Sequence, residues 1–550
     1  LTLRADADKS KKLSYDRLIA LKSIKTVFSR LRLSFVLFLL VGMSNHPLRF
    51  ARPVKTWQRL LTVILTSSLI SANLSSYPVR AQVTADCQLS EAAKQEKESL
   101  LRPALQGDRA AQKRYADILN RHADSLSECR NRTAPQIQAI WLRLYPCDTR
   151  PGVLEEILDR IVNRGYNYVY VETFADGQVL LPAAANPTVW PSVVRSAGNE
   201  KTDLLAQVIQ KGHERGLKVY AWMFLMNFGY SYGQRADRQS VLARNAKGQT
   251  TIDVVDNASQ VFIDPYNVQA KRDYYQLLQE VMQRRPDGLL LDYVRYPRGL
   301  GYASVVDKVQ DLWIYGDAAK QALEQRALNK KGLELIRRYV NKGSLSVADV
   351  DAADKLYPDE TEALWQGRTP PPQTASASKQ NQKALLPSPA ARLPQLKWDL
   401  WQLSVAHALQ GILDFVSLGN WTVQQQGMKA GLVFFPDANQ TVGGGYDSRL
   451  QPWDRFPTNL EWHPMSYAAC GNADCIVALI QRVFKYAPKE AQVIPAIAGV
   501  WGRAISNRPS LEAQMRSIQY YTPQVRGISN FAFSWQEPEL ENQRKSCRFK

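Results

Sequence analysis

Histidine is scarce, with five in 550 residues, and no two of them have the helical spacing of a metalloprotease zinc motif. The six cysteines show no zinc-ligand spacing either. A phosphate-cradling loop is missing. The one glycine cluster, TVGGGYD at 441–447, lacks the Lys-Ser/Thr ending of a phosphate loop and reads as a flexible turn. No Gly-rich turn follows an apolar run, which argues against a dinucleotide site. No Lys/Arg run is interleaved with aromatics, so no nucleic-acid groove is expected. The sequence therefore implies no metal, no organic cofactor and no nucleic-acid partner. It also lacks a comfortable membrane span. The apolar run at 60–74 (LLTVILTSSLISANL) falls short of the roughly 20 residues that crossing a bilayer takes.

What is present starts with charge. The formal net charge is +19, but the first 81 residues hold 14 Lys/Arg against 3 Asp/Glu, so +11 of it lies there and +8 in the remainder. That mild excess fits an ordinary soluble surface and would also favour anionic partners such as acidic glycans. Arg49, Arg52, Lys55 and Arg59 precede the 60–74 run, and SSYPVRAQ follows it. Val79 and Ala81 suit the small positions of a signal-peptidase site, so cleavage is expected before Gln82. Met43 is the first methionine, and 1–42 reads as an over-extended reading frame. A second short apolar run lies upstream at 31–43, and the competing expectation is an N-terminal membrane anchor if the leader stays uncleaved. With the leader removed, no stable span is expected, and the chain is exported to periplasm, wall or medium.

All six cysteines follow the expected cleavage point, and an even count in an exported chain suggests disulfides. Cys470 and Cys475 are near neighbours in sequence, Cys87 and Cys129 flank a helical stretch, and Cys147 and Cys547 remain. This pairing is one of about fifteen that six cysteines allow.

Residues 1–81 thus form the leader, and 82–133 read as a charged α-helical hairpin broken at Gly107-Asp108. From 134 to the end, eight short apolar runs alternate with amphipathic helical stretches. The runs lie at 137–145, 168–173, 218–225, 288–293, 431–435, 461–467, 492–498 and 527–535. Near-continuous apolar strands alternating with helices indicate a parallel sheet covered by helices. Eight such repeats indicate an α/β fold, a (β/α)8 TIM barrel, with an open doubly wound sheet as the rival. Residues 302–397 form a long insertion after strand four. Its first part is helical, and 367–397, rich in Pro, Ser, Ala and Gln, is expected to be disordered.

In such a barrel, chemistry sits at strand C-termini. Strand four runs DGLLLDYVRYPRG, which places Asp292 at its exit, followed by Tyr293, Arg295 and Tyr296. A carboxylate there should face a cup shielded from water, with the arginine and phenols beside it for substrate. A structural ion pair between Asp292 and Arg295 is the plainer reading of the same residues.

The string RPDGLLLDYVRYP resembles the signature of glycoside hydrolase-like family ten, a bacterial TIM-barrel family. GHERGLKVYAWM at 212–223, DPYN at 264–267 and HPMSY at 463–467 support the likeness, which runs from about 137 to 535. Many members carry two consecutive aspartates where this chain has Asp292-Tyr293. The resemblance implies hydrolysis of a bacterial, envelope-type glycan.

Glycoside hydrolysis usually needs a second carboxyl group. Asp437 after strand five and Glu172 at the end of strand two are the main choices. Glu461 opens its strand and lies at the wrong end, and Glu537 follows strand eight and serves better as a substrate contact. Trp222, Tyr467 and Trp535 are placed to stack on sugar rings, and His463 to bond a hydroxyl. Asp264, before Pro265, reads as the N-cap of the third barrel helix. The reading is an exported glycoside hydrolase with a polysaccharide substrate. The alternative is a wall-associated barrel that binds glycan without cleaving it.

Overall fold

The computed structural model describes residues 83–133, 135–255, 257, 259–369 and 386–548. The leader, the cleavage point before Gln82 and the anchor alternative lie outside the described residues.

Eight parallel strands form the core. They are β1 (Ile137–Leu142), β2 (Tyr168–Ala175), β3 (Lys218–Phe224), β4 (Gly288–Asp292), β5 (Lys429–Phe434), β6 (Glu461–Pro464), β7 in two pieces (Gln492–Val493 and Ala496–Ala498), and β8 (Gly527–Phe531). Each pairs in parallel with the next in sequence through β6, and β8 pairs with β1. The segment 492–498 completes the ring. Its first piece pairs with β6 and its second with β8. Pro495, which has no N–H to give, separates the pieces, yet its carbonyl still accepts from Ser529 N at 2.9 Å. The (β/α)8 expectation therefore holds.

Side-chain alternation fixes what the ring encloses. A Cβ on Gly419, in the helix Pro389–Gln424, would stand 2.9 Å from Leu291 Cδ1, so Leu291 faces the helical layer. Leu290 faces the other way, since a Cβ on Gly431 would meet both Leu290 Cδ2 and the His463 ring. Asp292, two residues on, shares that inward face. The same period turns Tyr170 and Glu172 of β2, and Tyr220 and Trp222 of β3, toward the centre. The lower interior holds Tyr170 and Tyr220 rings 5.6 Å apart, with Glu461 accepting from Tyr220 Oη at 3.2 Å.

The helices Glu91–Leu105 and Arg109–Arg132 pack together and are tied to the barrel by a buried cluster. Asp159 takes Arg215 Nε at 2.9 Å, Tyr115 Oη at 2.6 Å and Lys97 Nζ at 3.6 Å. Disulfides join Cys87 to Cys129, Cys147 to Cys547 and Cys470 to Cys475, the pairing the spacing favoured.

Two expectations need correction. The third barrel helix, Val268–Met282, is capped by Asn267, whose side chain accepts from Gln269 N and Ala270 N. Asp264 is buried and serves the insertion instead. It accepts from Tyr266 N and from Ala319 N in the helix Asp317–Glu324, and burial pushes its carboxyl up to about 6. Residues 389–397, expected to belong to a disordered loop, are helical. Ser388 caps a 36-residue helix, Pro389–Gln424, whose first turns use residues read as loop. Proline at the first helical position suits that start, and Arg392 reaches Asp354 of the insertion. Arg368 is likewise buried against Glu362 and Asp399. Residues 370–385 lie outside the described residues.

Asp159→Ala should strand the buried Lys97 and leave the buried Arg215 only the half-exposed Glu214, 3.8 Å away, at a cost of about 3–5 kcal/mol. A fall in the denaturant midpoint, with faster proteolysis across 90–132, checks this; an unchanged midpoint contradicts it.

Candidate functional site

The site is built where two strands lose regularity. Between Glu172 and Phe174 the β2–β3 register shifts, a bulge of the kind that re-aims a side chain at a barrel rim. At the end of β4, Tyr293 adopts φ 53°, a left-handed conformation that costs of order 1–3 kcal/mol for a bulky residue. The turn brings Tyr293 N to 2.6 Å from Asp292 Oδ1. Trp222 Nε1 donates to Asp292 Oδ2 at 3.1 Å. Asp292 is only 7% exposed. Burial pushes its carboxyl up from the usual range, against the pull of the Tyr293 amide, the Arg295 charge and the Trp222 N–H.

Glu172 meets Asp292 electrostatically. Burial raises the Glu172 carboxyl, Arg143 opposes the rise, and the Asp176 and Asp292 charges add to it. Arg143 holds Glu172 with both prongs at 2.7 Å and lies 3.8 Å from Asp176. The charge of Asp292 also raises the Tyr467 phenol, which burial has already lifted well above its ordinary value. Asp292, Glu172, Trp222 and Tyr467 are thus brought together.

Beside them opens a cavity of about 180 Å³ lined by Trp141, Arg143, Tyr145, Glu172, Trp222, Phe531, Ala532, Ser534, Glu541 and Lys545. Trp141 stands edge-on to Trp222 at 4.9 Å, and Tyr467 lies 5.6 Å from Phe531. Apolar ring faces with charged groups at one end suit a sugar ring, which has CH faces and a hydroxyl rim. Among the described residues, no cluster of three His, Cys, Asp or Glu side chains is arranged to hold a metal ion.

Other sequence-selected residues have different settings. Asp437 is half exposed and pairs with Arg449 at 3.1 Å. Glu537 is taken by Arg160 and Arg164, on and just after the helix Val153–Asn163, at 2.8 and 2.5 Å. Tyr296 is buried, its hydroxyl 3.4 Å from the Ala408 carbonyl under the long helix. His463 is buried in the barrel interior, 3.4 Å from Glu461 and edge-on to Tyr170. Trp535 is half buried in the short helix Phe533–Gln536 after β8. Tyr293 is half buried, its ring 4.2 Å from Phe224. Arg295 is buried beside it.

Sequence reasoning passed over Arg143, Trp141, Phe531 and Glu541. For Arg143 a signal existed. In IWLRLY the arginine follows Trp141 by two, on the inward face at the exit of β1.

Asp292→Asn should stabilise the protein at neutral pH. A buried carboxyl whose pKa is raised on folding opposes the folded state once pH exceeds its unfolded value. The gain, about 0.5–2 kcal/mol, should be present at pH 7 and shrink as pH falls toward the unfolded carboxylate range. Thermal melts of both proteins across that range check it, and a gain independent of pH contradicts it.

No curated protein matches this chain. Among solved structures, the β-galactosidase of the psychrophilic Marinomonas ef1 is 11% identical, with a TM-score of 0.40 over 75% of this chain and 58% of that one. The β-N-acetylhexosaminidase of Bacteroides fragilis NCTC 9343 is 11% identical, with a TM-score of 0.35 over 73% of this chain and 61% of that one. A hypothetical protein from Ruminiclostridium thermocellum ATCC 27405 is 17% identical, with a TM-score of 0.23 over 29% of this chain and 77% of that one. The chain therefore spans about three-fifths of the two named glycosidases. Residues 139–335 match the family Glycosyl hydrolase-like 10, a span that includes Glu172, Asp292 and the strand-four string that resembles the same family.

Proposed function

We propose that the chain is an exported glycoside hydrolase acting on a bacterial envelope or extracellular polysaccharide, with Asp292 and Glu172 as its two catalytic carboxyl groups. The observation that carries this is their setting. Both are shielded from water, Glu172 lines the aromatic cavity, Asp292 is bonded to Trp222 in its wall, and the charge of Asp292 disfavours that of Glu172. Environments that separate two carboxyl groups assign their roles. Arg143 contacts Glu172 directly and opposes its protonation. Asp292 has no cation within 4.0 Å among the described residues, and burial raises its carboxyl, which suits it to the acid role. Asp292 is the acid. It gives its proton to the glycosidic oxygen as the bond to the anomeric carbon breaks. Glu172 meets the developing positive charge, either by attacking the anomeric carbon or by taking a proton from the water that does. Trp222 fixes the Asp292 carboxyl, while Trp141, Tyr467 and Phe531 form the sugar-facing wall. Asp437, held by Arg449, is outside this pair. Three disulfides support an oxidising, exported setting, and no helix among the described residues is long and apolar enough to cross a membrane.

One observation favours the second reading, a glycan-binding barrel without turnover. The two-pronged Arg143–Glu172 pair occupies both oxygens that catalysis would use.

Product analysis on a panel of bacterial glycans separates the two. Asp292→Asn and Glu172→Gln should each lose about 10²–10⁴-fold in rate, with Asp437→Asn close to wild type. Equal product from Asp292→Asn would remove that residue from the mechanism, and binding without product from wild type would favour the second reading. Because the acid must be protonated, activity should fall as pH rises through its raised pKa, and Asp292→Asn should erase that limb on substrates with good leaving groups. For export, the secreted protein should begin at Gln82; a start before Met43 would favour the anchor.

A further inference from the structure

Arg295 is a buried cation without an anion. It is 6% exposed, and no carboxylate oxygen among the described residues comes within 4.0 Å of it. Among the described residues its side chain makes one hydrogen bond, from Nη1 to the carbonyl of Tyr296 at 3.0 Å. A guanidinium has five N–H donors, so these residues accept from only one of them. Aromatic faces surround it instead. The Tyr293 ring lies 4.5 Å from its centre, Phe435 5.6 Å and Phe262 5.8 Å.

The nearby carboxylates serve another arginine. Arg449 also lies over Phe435, at 4.8 Å, and takes Asp447 at 2.7 Å and Asp437 at 3.1 Å. Arg449 and Arg298 act on Arg295 only as like charges, and Asp292 reaches it only at longer range. A buried charge is normally paired, because removing it from water is expensive. Aromatic faces recover part of that cost but fill none of the donor sites. Arg295 lies three residues beyond the carboxyl proposed as acid, beside the half-buried Tyr293 at the exit of β4.

We propose that Arg295 is the recognition point for a carboxylate-bearing sugar unit, so that the polysaccharide cleaved at this site is an acidic one. The inference rests on the cup being the glycan site, as proposed above, and adds its substrate class. The planar fork of the guanidinium matches the two oxygens of a carboxylate, a match that a lysine cannot reproduce. The flanking rings exclude water and supply an apolar bed for the ring that carries the acid group. The excess of +8 beyond residue 81 adds a mild long-range pull in the same direction.

The test is calorimetric binding in a Glu172→Gln background, which holds substrate without turning it over. The probes are glucuronate-containing oligosaccharides of bacterial exopolysaccharide, native and after chemical reduction of the carboxyl to a primary alcohol, with a sulfated neutral oligosaccharide as a third arm. Without further change, the protein should bind the native form about 10- to 100-fold more tightly than the reduced one. Arg295→Gln should lose that preference while still binding the reduced form. Arg295→Lys, which keeps the charge without the fork, should keep only part of it. Thermal melts establish which variants fold, and Arg295→Lys carries the comparison if Arg295→Gln does not. A preference that survives in the variants, no preference in the parent, tighter binding of the sulfated arm, or no binding of the native form would overturn the proposal. Discrimination without cleavage by wild type would leave this subsite standing and remove the hydrolase reading. Cleavage of reduced and native glycan alike would do the reverse.

Discussion

Two carboxyl groups kept from water at the mouth of one closed ring constrain everything else in this protein. A carboxylate loses much of its hydration when buried, so its neighbours must either supply donors or accept a raised pKa. Both responses are present. Trp222 and the Tyr293 amide serve Asp292, Arg143 serves Glu172, and both carboxyls still lie above their ordinary range. Such a set is held in place only by a rigid frame, and the parallel ring provides one. The frame yields locally at the two places it must. A bulge at the end of β2 and a left-handed Tyr293 at the end of β4 lie directly beside the two carboxyls.

The rest of the chain acts as support for that frame. The N-terminal helical pair is pinned to the barrel through Asp159, and the Cys147–Cys547 bridge ties the exit of β1 to the C-terminal segment. Arg544 of that segment is buried between Asp148 and Glu541, and Glu541 also accepts from Tyr145 in the wall of the cavity. The insertion after β4 is fastened under the mouth by Asp264, by Tyr296 and by the long helix whose Gly419 admits Leu291.

Much of this was legible in the sequence because it is written locally. Eight apolar runs interrupted by amphipathic stretches pointed to the ring, and the place of Asp292 at the exit of its apolar run pointed to the mouth. The disulfide pairing suggested by sequence neighbourhood, with Cys147 and Cys547 left over, is the one the structure has. What stayed hidden depends on partners far along the chain. Asp437, Glu537 and Tyr296 look like free functional groups until Arg449, Arg160 with Arg164, and the Ala408 carbonyl are seen against them. Asp264 looked like a cap for the helix that follows it, whereas it caps the helix beginning at Asp317, more than fifty residues away. The composition of 389–397 hid a helix start because Ser, Pro and Ala are as common at helix N-termini as in linkers.

The most direct measurement is a crystal structure of the Asp292→Asn variant soaked with an oligosaccharide of the cleaved or bound glycan. The account predicts a sugar ring against Trp141 and Trp222, with its glycosidic oxygen within hydrogen-bond reach of the residue at 292 and its anomeric carbon facing Glu172. Density for the sugar on the outer helical layer, or in the cup but away from both of those side chains, would contradict it.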